Sequence, residues 1–148
     1  MFLRRSLLML GLVAMATACS HAQPDAHLVA LSAALRGAQE VPAVVTMGQG
    51  QLDAVLDLRS RQLRWKLNFA GLTGPATAAH FHGPAAPSAN AGVVLPISVP
   101  STPLQSPSEG LASLTEAQVG DVVAGRWYVN VHTAAHPGGE VRGQLALQ

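Results

Sequence analysis

The stretch Gln62-Leu63-Arg64-Trp65-Lys66-Leu67-Asn68-Phe69 alternates strictly between polar and apolar residues. Because successive side chains of an extended strand point to opposite faces of a sheet, this alternation predicts a strand with one solvated and one buried face. The preceding residues 51–58 alternate in the same way, and a short polar turn joins the two segments. Together they predict an antiparallel hairpin on which the rest of the fold is built.

The same period of two recurs in shorter segments along the chain, which predicts further strands at residues 28–35, 78–82, 93–99, 126–133 and 141–147. Residues 113–116 have the spacing of a capping box and predict a short helix, whereas the proline- and serine-rich residues 100–110 predict a loop. About seven short strands separated by turns predict an all-β fold. We expect an antiparallel Greek-key β-sandwich or barrel with one short helix.

The N-terminal residues have the features of an export signal. Arg4 and Arg5 precede a short apolar run at residues 7–16, and small residues then lead to Cys19, which is the single cysteine of the chain. A positive segment, a short apolar segment and small residues in this order are typical of a secretory signal peptide. We therefore expect residues 1–18 to be removed and the mature chain to be exported.

Cys19 leaves two interpretations open. Its position resembles that of the lipid-carrying cysteine of a bacterial lipoprotein, and the alternative is ordinary cleavage after Ala18 or Ala22 with an incidental cysteine. On the lipoprotein interpretation, residues 19–26 are a lipidated tether and residues 27–148 form the folded domain. The residue after the cysteine is not aspartate, which favours the outer membrane, with the protein facing the periplasm.

Charge and composition exclude some partners. Loss of Arg4 and Arg5 leaves seven of the nine basic residues against eight acidic ones, so the mature chain is close to neutral. Without a basic patch, and with aromatic residues at only 4% of the chain, nucleic acid is not expected as a partner. The expected partners are the membrane, through the lipid anchor, and a protein of the cell envelope.

Four of the six histidines lie in two short segments, His80-Phe81-His82 and His132 to His136. Strand alternation places His80 and His82 on one face. Imidazole is a ligand for both copper and zinc, so a same-face pair joined by histidines from a distant strand predicts a site for one such ion. The site requires the strand that carries His132 to lie beside the strand that carries His80.

Two polar residues near the histidines complete the predicted site. Asn130 and Glu140 are expected to orient an imidazole by hydrogen bonding, and Glu140 is also a candidate ligand. The alternative is that the histidines bond Asn130, Glu140 or backbone carbonyls and hold the loops together without metal. In that case the domain is a structural or interaction module. No residue pattern indicates a catalytic residue, so we expect a binding module rather than an enzyme.

Several motifs resemble those of a known family. Residues 79–85, 128–133 and 136–145 resemble the CHRD domain, which is named for its repeats in chordin and also occurs singly in bacterial secreted proteins. Residues 37–42 are similar to the opening of that domain, and the resemblance extends over about residues 28–148. It implies an all-β domain and does not by itself imply an enzyme activity.

A second resemblance is to copper/zinc superoxide dismutase. Residues 71–74 before the His-x-His pair, and Gly125-Arg126 before the later histidine, are similar to motifs of that family. This resemblance implies a superoxide-dismutase-like Greek-key barrel, as an alternative to an immunoglobulin-like sandwich, with His80, His82 and His132 as copper ligands. The chain lacks the family's long histidine-rich loop and its cysteine pair, so a dismutase-like enzyme ranks below a binding module.

Overall fold

The computed structural model describes residues 26–98 and 104–148. The predicted signal peptide, Cys19 and all but the last residue of the predicted tether lie outside these residues. The described parts form nine strands, a short 3-10 turn and one α-helix. Their bounds are β1 Leu28–Arg36, 3-10 turn Gly37–Gln39, β2 Gln49–Asp57, β3 Gln62–Ala70, β4 Ala76–His82, β5 Val93–Pro96, β6 Ser108–Ser113, α1 Glu116–Val123, β7 Tyr128–Thr133, β8 Val141–Gln144 and β9 Ala146–Leu147.

The strands form one antiparallel sheet in the order β5-β4-β7-β8-β1-β2-β3-β6, with β9 also beside β1. The predicted hairpin is β2–β3, and its register places Leu52 opposite Leu67 and Leu56 opposite Leu63, all fully buried. The prediction of an all-β antiparallel fold with one short helix is confirmed. No helix in residues 26–98 and 104–148 is both long and apolar enough to cross a bilayer.

The sheet curls around one apolar core. Trp65 of β3 packs edge-on against Phe81 of β4, with ring centroids 5.3 Å apart, although these strands lie far apart in the strand order. The Trp127 ring also lies near Phe81, with ring centroids 5.9 Å apart. These contacts require the two ends of the sheet to fold towards each other, and the strands at those ends, β5 and β6, are its edges.

Two local predictions need correction. The predicted loop at residues 100–110 gives way at Ser108 to the edge strand β6, whose Gly110 lies opposite Trp65. The indole ring fills the space where a side chain at Gly110 would project. Because Ser113 ends this strand, the helix cap lies two residues later, where Thr115 and Gln118 form the capping box.

The prediction that one face of β7 is solvated is wrong. All six residues of this strand are buried, including the polar Asn130 and His132. Strands β4 and β8 flank it on both sides, and loops cover the face that the alternation assigned to solvent. The loop after β4 contacts Tyr128 through Ala91, and the loop before β8 contacts His132 through the Pro137 carbonyl.

Candidate metal centre

Strands β4 and β7 are neighbours, as the predicted site requires. Their antiparallel register places His80 opposite Asn130, and His132 opposite Ala78. His80 and His82 are two residues apart on β4 and share a face, and His132 lies diagonally across from His80 on that face. One ring nitrogen from each of the three histidines lies within 4.8 Å of those of the other two.

His80 is arranged edge to face with both other rings, and the His82 and His132 rings are tilted relative to each other. His80 Nδ1 is 3.1 Å from His132 Nε2, and the centroids of these two rings are 4.9 Å apart. The His80 and His82 centroids are 5.7 Å apart at an interplanar angle of 82°. Two imidazole nitrogens bound to one zinc ion at about 2.0–2.1 Å can be separated by at most about 4.2 Å. Nitrogens that lie up to 4.8 Å apart would therefore have to move closer together before all three could bind one ion.

A backbone carbonyl selects the nitrogen that His132 presents to the cluster. His82 Nδ1 is 3.0 Å from the Ala91 carbonyl oxygen, and His132 Nδ1 is 2.9 Å from that of Pro137. A carbonyl oxygen can only accept, so His132 Nδ1 carries the proton and donates it, and its unprotonated Nε2 is the atom that can bind a metal. His82 lies between two acceptors, Ala91 O at Nδ1 and Asn130 Oδ1 at Nε2, and a neutral ring can donate to only one of them.

Burial favours the neutral imidazoles that a metal needs. It is the largest cause of the lowered pKa of His80, and the charges of His132 and His82 lower it further. Burial also lowers the pKa of His132, and this effect outweighs the opposing hydrogen bond to Pro137. Both rings therefore favour the neutral form, in which the unprotonated His132 Nε2 accepts a hydrogen bond from His80 Nδ1.

The other predicted site residues have different surroundings. Asn130 does contact the cluster, because its Oδ1 lies 3.0 Å from His82 Nε2. This is the nitrogen that would face an ion, so Asn130 does not hold the ring from behind as expected. His136 is not one of the three histidines that come together. It is half-buried in the turn before β8, where its backbone bonds Thr133.

The Glu140 carboxylate is fully buried and is held by threonines rather than by an imidazole. The Thr46 hydroxyl and the Thr73 backbone N–H donate to Oε1 at 2.7 and 2.9 Å. The hydroxyls of Thr73 and Thr133 each donate to Oε2 at 2.7 Å. Burial alone would raise the pKa of Glu140, but these hydrogen bonds outweigh burial and hold the pKa at about 2. Glu140 therefore joins three segments of the chain by hydrogen bonds next to the histidine cluster.

Sequence reasoning did not predict the burial of Arg142. The guanidinium is 1% exposed and lies 3.4 Å above the Tyr128 ring, which in turn stacks on His82 with centroids 4.7 Å apart. Its donors reach Asn90 Oδ1 and two backbone carbonyls of the loop after β4. This stack holds the His82 ring parallel to the Tyr128 ring.

Glu40 is a second buried charged residue that sequence reasoning missed. It is 7% exposed, and its Oε1 has no hydrogen-bond partner among the described residues. Burial raises the pKa of Glu40 to about 7, against the opposing effects of the Arg142 charge and the Asn130 amide. The local sequence contains no signal of this burial, because the turn that encloses the carboxyl group includes Gly139, about a hundred residues further along the chain.

Comparison with known protein families gives one match, which covers most of the chain. A family model described as the CHRD domain matches residues 31–145, a range that includes all three clustered histidines together with Glu40 and Arg142. No curated protein matches the chain, and no solved structure matches it.

Proposed function

The chain belongs to the CHRD domain family, and from that premise we propose that it is a non-catalytic module that binds one copper or zinc ion. The ligands are His80, His82 and His132. The observation that carries the proposal is the placement of one ring nitrogen from each histidine within 4.8 Å of the other two. The proton-bearing Nδ1 atom of His132 supports it, because it leaves Nε2 of that ring as a metal-facing nitrogen.

The three imidazole ligands indicate which metals the site would bind. Three neutral imidazoles suit copper and zinc, and the Irving–Williams order makes copper(II) the tighter of the two. His80 is half-buried while His82 and His132 are buried, so an ion would enter from the His80 side. Three protein ligands leave a further coordination position, which water or His136 can fill.

We also propose that the protein is exported and anchored by lipid at Cys19 to the outer membrane, facing the periplasm. The support is the order of Arg4, Arg5, an apolar run and small residues before that cysteine. Growth with a labelled fatty acid tests this proposal, because the wild-type chain should take up label and the Cys19→Ala variant should not. Label on neither chain, with the protein recovered in the soluble periplasmic fraction, would mean ordinary cleavage.

One observation favours a second function, a metal-free module that contacts another envelope protein. Both nitrogens of His82 lie 3.0 Å from a protein oxygen, Ala91 O at Nδ1 and Asn130 Oδ1 at Nε2, and the ring can donate to either of them. In this alternative the histidines serve to join the two loops to β4 and β7. The metal titration below separates the alternatives, and a superoxide assay on copper-loaded protein tests the dismutase-like enzyme.

The titration uses the mature chain without a polyhistidine tag. Calorimetry with copper(II), and separately with zinc(II), should give one ion per chain for wild type and none at the same concentrations for His80→Ala/His82→Ala. His27→Ala is the matched control, because it removes a histidine outside the cluster and should bind as wild type does. Equal uptake by wild type and the double variant would show that the cluster is not the site.

A further inference from the structure

Residues 58–61, the turn of the β2–β3 hairpin, lie beside the start of β1. Leu28, the first residue of β1, is opposite Asp57, the last residue of β2. The Leu58 N–H donates to the His27 carbonyl oxygen at 2.8 Å, which joins the turn to the residue before β1. The described chain therefore begins next to this turn, at one end of the sheet.

The proposed lipid anchor limits how far this end of the domain can lie from a membrane. Seven residue steps lead from Cys19 to Ala26, and a chain of that length spans at most about 25 Å. Strand β1 then runs for about 27 Å, from Leu28 to Arg36. Arg36 is level with His80 across the intervening strands. The histidine cluster therefore lies at the other end of the sheet from the turn.

Exposed apolar and basic side chains occur together beside the start of β1. Leu28 is 46% exposed and Leu58 is 40% exposed, although leucine is among the residues most often buried. Arg59 and Arg61 are exposed, and neither forms an ion pair within the described part of the chain. Leucines next to guanidinium groups fit the surface of an anionic bilayer, where apolar groups reach the acyl chains and cations meet phosphates.

The turn is held in one shape by hydrogen bonds. The Asp57 carboxylate accepts the backbone N–H groups of Arg59 and Ser60 at 2.8 and 3.2 Å. The Arg61 carbonyl oxygen accepts the Leu114 N–H at 2.8 Å, which ties the turn to the segment before α1. A surface that is already ordered loses little conformational entropy when it binds a partner.

The other end of the domain also exposes apolar side chains, but these lack neighbouring charges. Val45 and Met47 are almost fully exposed, and residues 41–48 contain no charged residue. This loop joins Arg36, at the far end of β1, to the start of β2. It therefore lacks the cations that an anionic surface attracts, and it lies at the end away from Cys19.

We propose that Leu28, Leu58, Arg59 and Arg61 form a docking surface for a bilayer that contains anionic phospholipid. The inference rests on the proposed lipid anchor, which would bring this surface to the membrane, and it adds an orientation. The turn contacts the lipid headgroups, and the histidine cluster faces away from the bilayer. The two arginines together should strengthen membrane binding by about thirtyfold.

Vesicles of phosphatidylethanolamine and phosphatidylglycerol, at about 3:1, test the surface without the anchor. The probe is the mature Cys19→Ser chain, which carries no lipid. Sedimentation at low ionic strength should find about half of it on the vesicles at about 1 mM lipid. Arg59→Gln should weaken this binding about fivefold, and Arg59→Gln/Arg61→Gln about thirtyfold. Arg36→Gln makes the same change of charge at the far end of β1 and should stay within about twofold of the parent chain.

A spin label measures the orientation. Ser60→Cys and Val45→Cys, each in the Cys19→Ser chain, provide a single thiol at either end of the domain. Chromium(III) oxalate stays in water and relaxes only labels that water reaches. On the vesicles the label at position 60 should become shielded from this reagent, whereas the label at position 45 should stay accessible.

The outcomes separate the docking surface from the anchor. If the Cys19→Ser chain does not bind the vesicles, or if Arg59→Gln/Arg61→Gln binds equally well, the docking surface is wrong, and the fatty-acid label on Cys19 alone decides the anchor. A shielded label at position 45 with an accessible one at position 60 would overturn the orientation. Self-association without vesicles that Leu58→Ser abolishes would assign the surface to a second copy of the chain. Binding to native outer-membrane vesicles but not to pure lipid would assign it to an envelope protein.

Discussion

Replacing Glu40 with glutamine should stabilise the domain at alkaline pH and not at acidic pH. Burial raises the pKa of this carboxyl group from 4.5 to about 7 in the folded domain, although Arg142 and Asn130 both act to lower it. The folded chain therefore holds this proton more tightly than the unfolded chain does. The stability that the protonated carboxyl contributes is complete below pH 4.5 and is lost as the pH rises through about 7.

The size of the effect follows from the two pKa values. A displacement from 4.5 to about 7 corresponds to about 3 kcal/mol in the free energy of unfolding, at about 1.36 kcal/mol per pH unit. Glutamine is neutral at every pH and has nearly the same shape, so Glu40→Gln lacks this dependence. Relative to wild type, the variant should gain up to about 3 kcal/mol between pH 4.5 and about pH 8.

Urea unfolding of both metal-free proteins at a series of pH values measures this difference directly. Glu116→Gln makes the same substitution at an exposed position in the first turn of α1, and its difference from wild type should stay within about 1 kcal/mol. The reasoning is refuted if the difference between Glu40→Gln and wild type is constant over this range. A constant difference would mean that the carboxyl group is hydrated or paired in the folded domain.

Glu140→Gln should lower the free energy of unfolding near neutral pH by about 2–4 kcal/mol, because buried hydroxyls lose a charged acceptor. This deficit should shrink as the pH falls from 4.5 towards about 2, and a deficit independent of pH would contradict the account. Because the pKa values of His80 and His132 are lowered in the folded domain, the metal-free wild type should lose thermal stability as the pH falls below 6.5, the ordinary pKa of histidine. A melting temperature that rises as the pH falls below 6.5 would contradict this prediction. Gly110→Ala should cost about 1–3 kcal/mol, since a Cβ there would lie 2.2 Å from Trp65 Cζ2, and an unchanged melting temperature would argue against that contact.

Sequence alternation predicted the parts of the fold that have one solvated and one buried face. The β2–β3 hairpin follows this rule residue by residue, so its register could be predicted. Strand β7 does not follow it, because loops distant in sequence cover its polar face. A period of two shows which side chains share a face, and it carries no information on what packs against that face.

The candidate site likewise has one part that the sequence predicts and one part that it does not. The shared face of His80 and His82 follows from strand geometry alone, whereas the proximity of His132 depends on the pairing of β4 with β7, which alternation along the chain does not determine. The burial of Glu40 and Arg142 could not be predicted, because each is enclosed by segments far away in the chain. Their roles follow from tertiary contacts that no local pattern encodes.

The most direct test of the metal site is the electron paramagnetic resonance spectrum of the mature, untagged chain with one equivalent of copper(II). The account predicts one bound copper with hyperfine coupling to imidazole nitrogens. This signal should be lost or altered in His80→Ala, His82→Ala and His132→Ala, and retained in His27→Ala. A wild-type spectrum that matches copper(II) in buffer, or one that all three variants leave unchanged, would contradict the account.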